Sequence, residues 1–294
     1  MAADIKTIGF IGLGHMGGNM AARYLDAGYT VYGEARHRDG NEWLIDRGLR
    51  WADTPRELAE ATEIVFTSLP SDAAVESVAS GPNGILAGLG AGKLWADLST
   101  ITPRVSRELA ARVKEEGHGA LMLDTPVAGS IPQVKSGTLT IVVGGEPDAY
   151  RQIEPVLRVL GTPTHVGDNG QGLVLKLAIN ISLAVEMLAF SEGLLLAERA
   201  GIDPKLAAKV MTDAAVGSPM LKARVPLVLG EVDETWFDVS LMHKDIRLAL
   251  ESASEEHTQL PTAATADKVL EQAEQSGYGH RDIASLYELL SKTD

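Results

Sequence analysis

A chain of 294 residues, 45% hydrophobic and 22% charged, is long enough for about two globular domains and has the composition of an ordinary soluble, enzyme-sized protein. Its formal net charge of −14 speaks against duplex binding, because phosphate contacts need clustered Lys and Arg. The absence of cysteine excludes disulfides, thiolate metal sites and thiol catalysis, and no metal is expected.

The N-terminal stretch MAADIKTIGF carries no basic segment followed by an apolar one, so the expectation is no signal peptide and a cytoplasmic location. Thr7–Ile11 reads as a buried strand, followed by Gly12-Leu13-Gly14-His15-Met16-Gly17 and then by the helical spacing Met20, Ala21, Tyr24, Leu25 up to Gly28. Strand, glycine turn and helix are the context of a dinucleotide fingerprint. Gly12 permits the tight turn, Gly14 lets backbone approach a pyrophosphate, and Gly17 lets helix and strand pack closely. The helix N-terminus adds free N–H groups and the positive end of its dipole.

The second strand is expected at 30–33. An acidic residue at its end suits the ribose 2′-hydroxyl of NAD, an arginine the 2′-phosphate of NADP. The text Glu34-Ala35-Arg36-His37-Arg38 carries both signals, with Ala35 counted into the usual acidic position and Arg36 after it. NADP is preferred over NAD on the strength of the basic cluster.

Further α/β units follow. Thr54-Pro55-Arg56-Glu57 is a capping box that starts a helix. Residues 64–68 form a buried strand that ends at Leu69-Pro70, and Leu94–Asp97 is another with Ser99 and Thr100 just beyond it. Ligands of doubly wound sheets bind outside the carboxyl ends of the strands, which places both segments to touch a nicotinamide. Leu121–Asp124 is the next strand and runs into Thr125-Pro126-Val127-Ala128-Gly129-Ser130. Strands at 137–143 and 164–166 and a helix at 148–159 complete the alternation.

Near Gly167 the style changes, and no convincing strand follows. The expected architecture is an α/β Rossmann domain over 1–167 and an all-α domain over 168–294, joined by a long interdomain helix. That helix opens with Gly172 and continues as the longest apolar run in the chain, to Leu196. Its length raises the question of a membrane span. Lys176, Asn180, Glu186 and Glu192 interrupt it, so a buried helix is expected and no membrane partner. Lys176 and Asn180, four apart, share a helix face, and an ammonium in such surroundings must look into a polar cleft. Amphipathic stretches follow at 240–254, 261–276 and 282–291. Leu241, Lys244, Leu248 and Leu250 place Lys244 near the buried side of its helix.

Four blocks, in this order, resemble the β-hydroxyacid dehydrogenase family: residues 9–17, residues 124–130, Gly172-x-x-x-Lys176-x-x-x-Asn180, and Phe237 through His243-Lys244-Asp245. The resemblance implies an NAD(P)-dependent enzyme interconverting a small hydroxy acid, such as 3-hydroxyisobutyrate, glycolate or 4-hydroxybutyrate, and its semialdehyde. It implies that Lys176 is the catalytic acid/base and that Asn180 helps bind substrate. Gly129 and Ser130 would bind the substrate carboxylate. Gly12 through Gly17, Arg36, Leu69, Pro70, Thr100 and Lys244 would line the cofactor. It also implies a homodimer or homotetramer associating through the helical half.

One departure stands out. The family block commonly reads Asp-Ala-Pro-Val-Ser-Gly-Gly, but here Ala128 replaces the serine and Ser130 the last glycine, so that anchoring of the substrate falls to backbone N–H groups and Ser130. Two other functions remain open: an imine or ketone reductase of the same architecture, whose members usually lack the lysine, and a non-catalytic NADP(H)-binding sensor. Pocket size depends on which side chains of 217–221 and 236–241 enter the cleft, so the sequence names no single substrate.

Overall fold

The computed structural model describes residues 5–292. The chain divides into two compact units, Met1–Lys176 and Leu177–Asp294, with the division inside one long helix.

The first unit is built on nine strands: β1 (Thr7–Ile11), β2 (Thr30–Glu34), β3 (Arg50–Trp51), β4 (Ile64–Thr67), β5 (Leu94–Asp97), β6 (Leu121–Asp124), β7 (Val127–Ala128), β8 (Leu139–Gly144) and β9 (Gly161–Gly167). The order β3-β2-β1-β4-β5-β6 is parallel throughout and continues through β8, which runs antiparallel to both β6 and β7 and parallel to β9. The first six strands therefore reproduce the doubly wound order, with its reversal between β1 and β4. β4 and β5 are buried at every residue, as strands covered on both faces must be. Between sheet and helix His15–Asp26, Phe10, Phe66 and Tyr24 stack, with ring centroids 5.1 Å apart for Phe10–Phe66 and 5.6 Å for Tyr24–Phe66.

The second unit is helical. The long helix Gln171–Arg199 runs into it and is followed by Pro204–Asp213, Pro219–Val228, Val239–Glu255, Pro261–Gln275 and Leu286–Lys292. Its core gathers Met187, Leu194, Met242, Ile246 and Leu270. Beyond β9 the only strand pairing among the described residues is an isolated antiparallel bridge, Asp238 with Asp282. The architecture is thus the expected one, a Rossmann domain followed by a helical region. By length and composition alone the long helix qualifies as a membrane span, its apolar window having a mean hydropathy of 1.9, and 44% of that window is buried within this chain.

Several local features were not anticipated. No element is expected from the sequence between the Gly/Ser/Pro loop at 217–219 and residue 240, yet helix Pro219–Val228 begins where that loop ends, with Ser218, whose hydroxyl accepts from the N–H of Leu221, and Pro219 at the first helical position as ordinary start signals. β3 and β7, two residues each, are too short for a periodicity to register.

Candidate active site

At the end of β1 the chain turns through Gly12, whose φ is +90° and where a Cβ would run into the carbonyl of Ser68. Gly14 caps helix His15–Asp26, and a Cβ added to it would meet nothing within 4 Å. Gly17 packs directly on the carbonyl of Gly12. The turn is therefore closed on the protein side and open at Gly14, where the unpaired N–H groups of the helix face outward. That geometry fits a dinucleotide pyrophosphate. Leu13 points into the sheet core, Met16 packs against it, and His15 is exposed.

β2 lies beside this turn, and the N–H of Gly12 donates to the carbonyl of Glu34 at 2.9 Å. Burial pushes the Glu34 carboxyl up from its ordinary value. Arg36, His37 and Arg38 are exposed just after it, and the Arg38 guanidinium sits 5.8 Å from the centroid of Trp51.

The loops after β4 and β5 are tied together. Leu69 donates its N–H to the Ser99 hydroxyl at 2.9 Å. Beneath them Asp97 is fully buried, its Oδ1 accepting from the Thr67 hydroxyl at 2.7 Å and from the N–H of Ser99 at 3.1 Å. Trp95 completes the chain by donating its indole N–H to Thr67 at 2.9 Å. Burial pushes the Asp97 carboxyl up to about 6, against the pull of those hydrogen bonds. Pro70 is exposed and Thr100 half-buried on the outer side of this network.

β6 ends in Asp124, also fully buried. Its Oδ1 accepts from the N–H of Gly170 at 2.7 Å and its Oδ2 from the N–H of Leu173 at 3.1 Å, so the carboxyl group sits on the N-terminus of the long helix. Five residues on, Gly129 has φ +130° and is exposed, while Ser130 is buried and its N–H donates to Gln133 Oε1 at 2.9 Å. Ser130 and Gln133 form a reciprocal capping box, the Ser130 hydroxyl oxygen facing the N–H of Gln133, so that Ser130 offers a ligand its hydroxyl proton beside the Gly129 backbone.

On the long helix Lys176 and Asn180 are both buried, in line with Leu173, Leu177 and Ala184, whereas Val174, Leu175 and Ala178 are exposed. Asn180 donates its amide N–H to Asp245 Oδ2 at 2.5 Å. Lys244 brings its ammonium to 2.9 Å from Asp245 Oδ1, an ion-pair distance without hydrogen-bond alignment. The buried line of that helix runs through Val239, Met242, His243, Asp245 and Ile246; Lys244, with Leu241 and Leu248, lies on its half-buried flank, so the expected periodicity was offset by one position.

Residues 7–169 match the model of the NAD-binding domain of 6-phosphogluconate dehydrogenase, and residues 170–290 match the NAD-binding model of NADP-dependent 3-hydroxyisobutyrate dehydrogenase. The chain belongs to the β-hydroxyacid dehydrogenase family. It is 33% identical to the 2-(hydroxymethyl)glutarate dehydrogenase of Eubacterium barkeri, over 97% of this chain and 95% of that protein. With mouse mitochondrial 3-hydroxyisobutyrate dehydrogenase it shares 34% identity over 99% of this chain and 89% of the other. Among solved structures, Psf3 in complex with NADP+ and 2-OPP superposes with a TM-score of 0.89 at 27% identity, over 97% of this chain and 100% of that one. The protein is an NAD(P)-dependent hydroxyacid dehydrogenase.

Within this family setting, the residues that sequence reasoning passed over are three of the buried acids, Asp97, Asp124 and Asp245. Asp97 and Asp124 end neighbouring strands and are register partners, and Asp245 holds Asn180. Only Asp97 and Asp124 offered a local hint, each closing an otherwise apolar strand, and that hint names no partner.

Proposed function

We propose that this dehydrogenase interconverts a small hydroxy acid and its semialdehyde, with Lys176 as the general acid/base and Asn180 as a substrate-binding residue. The observation that carries the reading is the burial of Lys176 and Asn180 one turn apart on a single helix face, with Asn180 oriented by Asp245. The bound nicotinamide supplies or takes the hydride. Lys176 then serves the oxygen of the reacting carbon: its ammonium gives a proton to the alkoxide that forms on reduction, and its neutral amine takes the alcohol proton in the reverse direction. Asn180, oriented by the bond from its amide to Asp245, binds the substrate. Gly129 and the Ser130 hydroxyl hold the substrate carboxylate.

Gly12 through Gly17, Leu69, Pro70, Thr100 and Lys244 hold the cofactor. NADP is the preferred form: Arg36, His37 and Arg38 are exposed just beyond the end of β2, where they can meet a 2′-phosphate. Association of copies through the helical half belongs to the same reading and is supported by the exposed Leu196, Leu206 and Val210.

Initial rates with glyoxylate, succinic semialdehyde, methylmalonate semialdehyde and tartronate semialdehyde, each with NADH and NADPH, select the substrate, and a cyclic imine in the same panel tests the alternative chemistry. Lys176→Ala should lower turnover by about 10²–10⁴-fold while leaving NADPH binding intact. Unchanged kcat in that variant overturns the mechanism.

A further inference from the structure

Asp124 lies at a branch point of the first unit. Its backbone ends β6 and feeds the loop of Gly129 and Ser130, while its side chain reaches the first N–H groups of the long helix, at Gly170 and Leu173. The packing around it is closed by glycine. A Cβ on Gly172 would stand 2.6 Å from Asp124 Oδ2, and one on Gly144 the same distance from that oxygen. Gly172 is the first residue of the Gly-x-x-x-Lys-x-x-x-Asn signature, so its lack of a side chain makes room for this carboxyl group. Lys176 follows one helical turn later, and in an α-helix its own N–H bonds back to the carbonyl of residue 172. The two oxygens of Asp124 thus fix the axial start of the helix that carries the lysine, against the same strand that launches the Gly129 loop.

We propose that Asp124 is a positioning residue for Lys176: anchored at the end of β6, it sets where the long helix begins and hence where the lysine stands relative to the Gly129 loop. The inference rests on the reading of Lys176 as the acid/base. An acid/base group must lie within hydrogen-bond reach of the reacting oxygen, and displacements on the order of 1 Å are costly to rate. Loss of the anchor therefore lowers kcat more than it raises KM.

The test uses the full chain with NADPH and the aldehyde acid that it reduces fastest. Asp124→Asn keeps the shape but turns an amide group toward backbone N–H donors. It should lower kcat by about tenfold or more, with substrate KM within about threefold and NADPH affinity, read by fluorescence titration, within about twofold. Gly172→Ala leaves the carboxyl group in place and pushes on it from the helix side, so it should give the same split, and it decides the matter alone if Asp124→Asn does not fold. The inference is overturned if kcat stays within about twofold of the parent, or if kcat falls only in proportion to the NADPH-binding sites lost, which is the signature of a merely structural role. Lys176→Ala, run beside them, separates the two failures. If it is inactive while Asp124→Asn and Gly172→Ala are unimpaired, only the positioning role fails; if it retains full kcat, the reading of Lys176 fails first.

Discussion

The Thr67 hydroxyl donates to Asp97 Oδ1 at 2.7 Å, while Oδ2 of the same carboxyl group is buried without a hydrogen-bond partner. That asymmetry suits a protonated acid, and burial accordingly pushes Asp97 from 3.8 up to about 6. A carboxyl group whose folded value lies above its unfolded one binds more protons when folded, so the fold loses stability as pH rises through the window from 3.8 to about 6. Roughly two units correspond to about 3 kcal/mol. Asp97→Asn abolishes that step. Urea unfolding at pH 4 and pH 7 should show the variant gaining on the parent at pH 7 by about 2–3 kcal/mol relative to pH 4. Equal pH dependence of the two proteins would show that Asp97 titrates normally.

Arg36 tests cofactor choice. An exposed guanidinium contributes to a 2′-phosphate site mainly through charge-assisted hydrogen bonds, so Arg36→Asp should raise the KM for NADPH by about tenfold or more and change that for NADH by less than about threefold. Raising the salt concentration should shrink the NADPH advantage of the parent enzyme. An equal effect on both cofactors would remove Arg36 from the phosphate site.

Gly129→Ala should be damaging by two routes. Its φ of +130° is one that L residues rarely adopt, and the new methyl would stand 2.7 Å from Leu139 Cδ2 and 3.0 Å from Gln133 Cβ. The strain amounts to about 1–3 kcal/mol, read as a lowered melting temperature. If the loop holds the substrate carboxylate, KM rises along with it; a variant with a lower melting temperature but parental KM would separate the loop from substrate binding.

In the helical unit, Asp282 accepts from the N–H groups of Trp236 at 2.9 Å, Phe237 at 3.0 Å and Ala284 at 3.0 Å, with the buried Arg224 guanidinium at 3.4 Å. Burial pulls Arg224 below its ordinary value while the Asp282 carboxylate pushes it back up. Removing only the acid strands a buried cation and three N–H groups, so Asp282→Ala should destabilise by about 3–5 kcal/mol in chemical denaturation. A loss below about 1 kcal/mol would mean that water replaces the carboxylate.

What could be read from the sequence was whatever announces itself by period or by glycine. The strands β1, β4, β5 and β6, the fingerprint turn and the helix of Lys176 were legible because apolar runs and special backbone positions are local properties. The short strands and helix Pro219–Val228 were not, since pairing partners and burial decide them. At the site, Lys176 and Asn180 stood out as polar residues in an apolar run. Asp124, Asp97 and Asp245 did not, because a lone aspartate acquires meaning largely from donors about 30 to 65 positions away, such as Thr67 for Asp97 and Asn180 for Asp245. The offset at Lys244 has the same origin: its neighbours Leu241 and Leu248 mark the flank of the helix rather than its centre.

Asp97 and Asp124 face each other across adjacent strands, and the charge on Asp124 is one of the influences raising Asp97. Asp124 has backbone donors at both of its oxygens, whereas Asp97 has them at only one. Burial raises both carboxyl groups, the donors on both oxygens of Asp124 pull it back, and the proton on Asp97 is held the more firmly for the charge beside it. Neutralising Asp124 would release some of that proton's hold, so the two loops bordering the fingerprint turn and the start of the lysine helix share a single electrostatic account at the carboxyl end of the sheet.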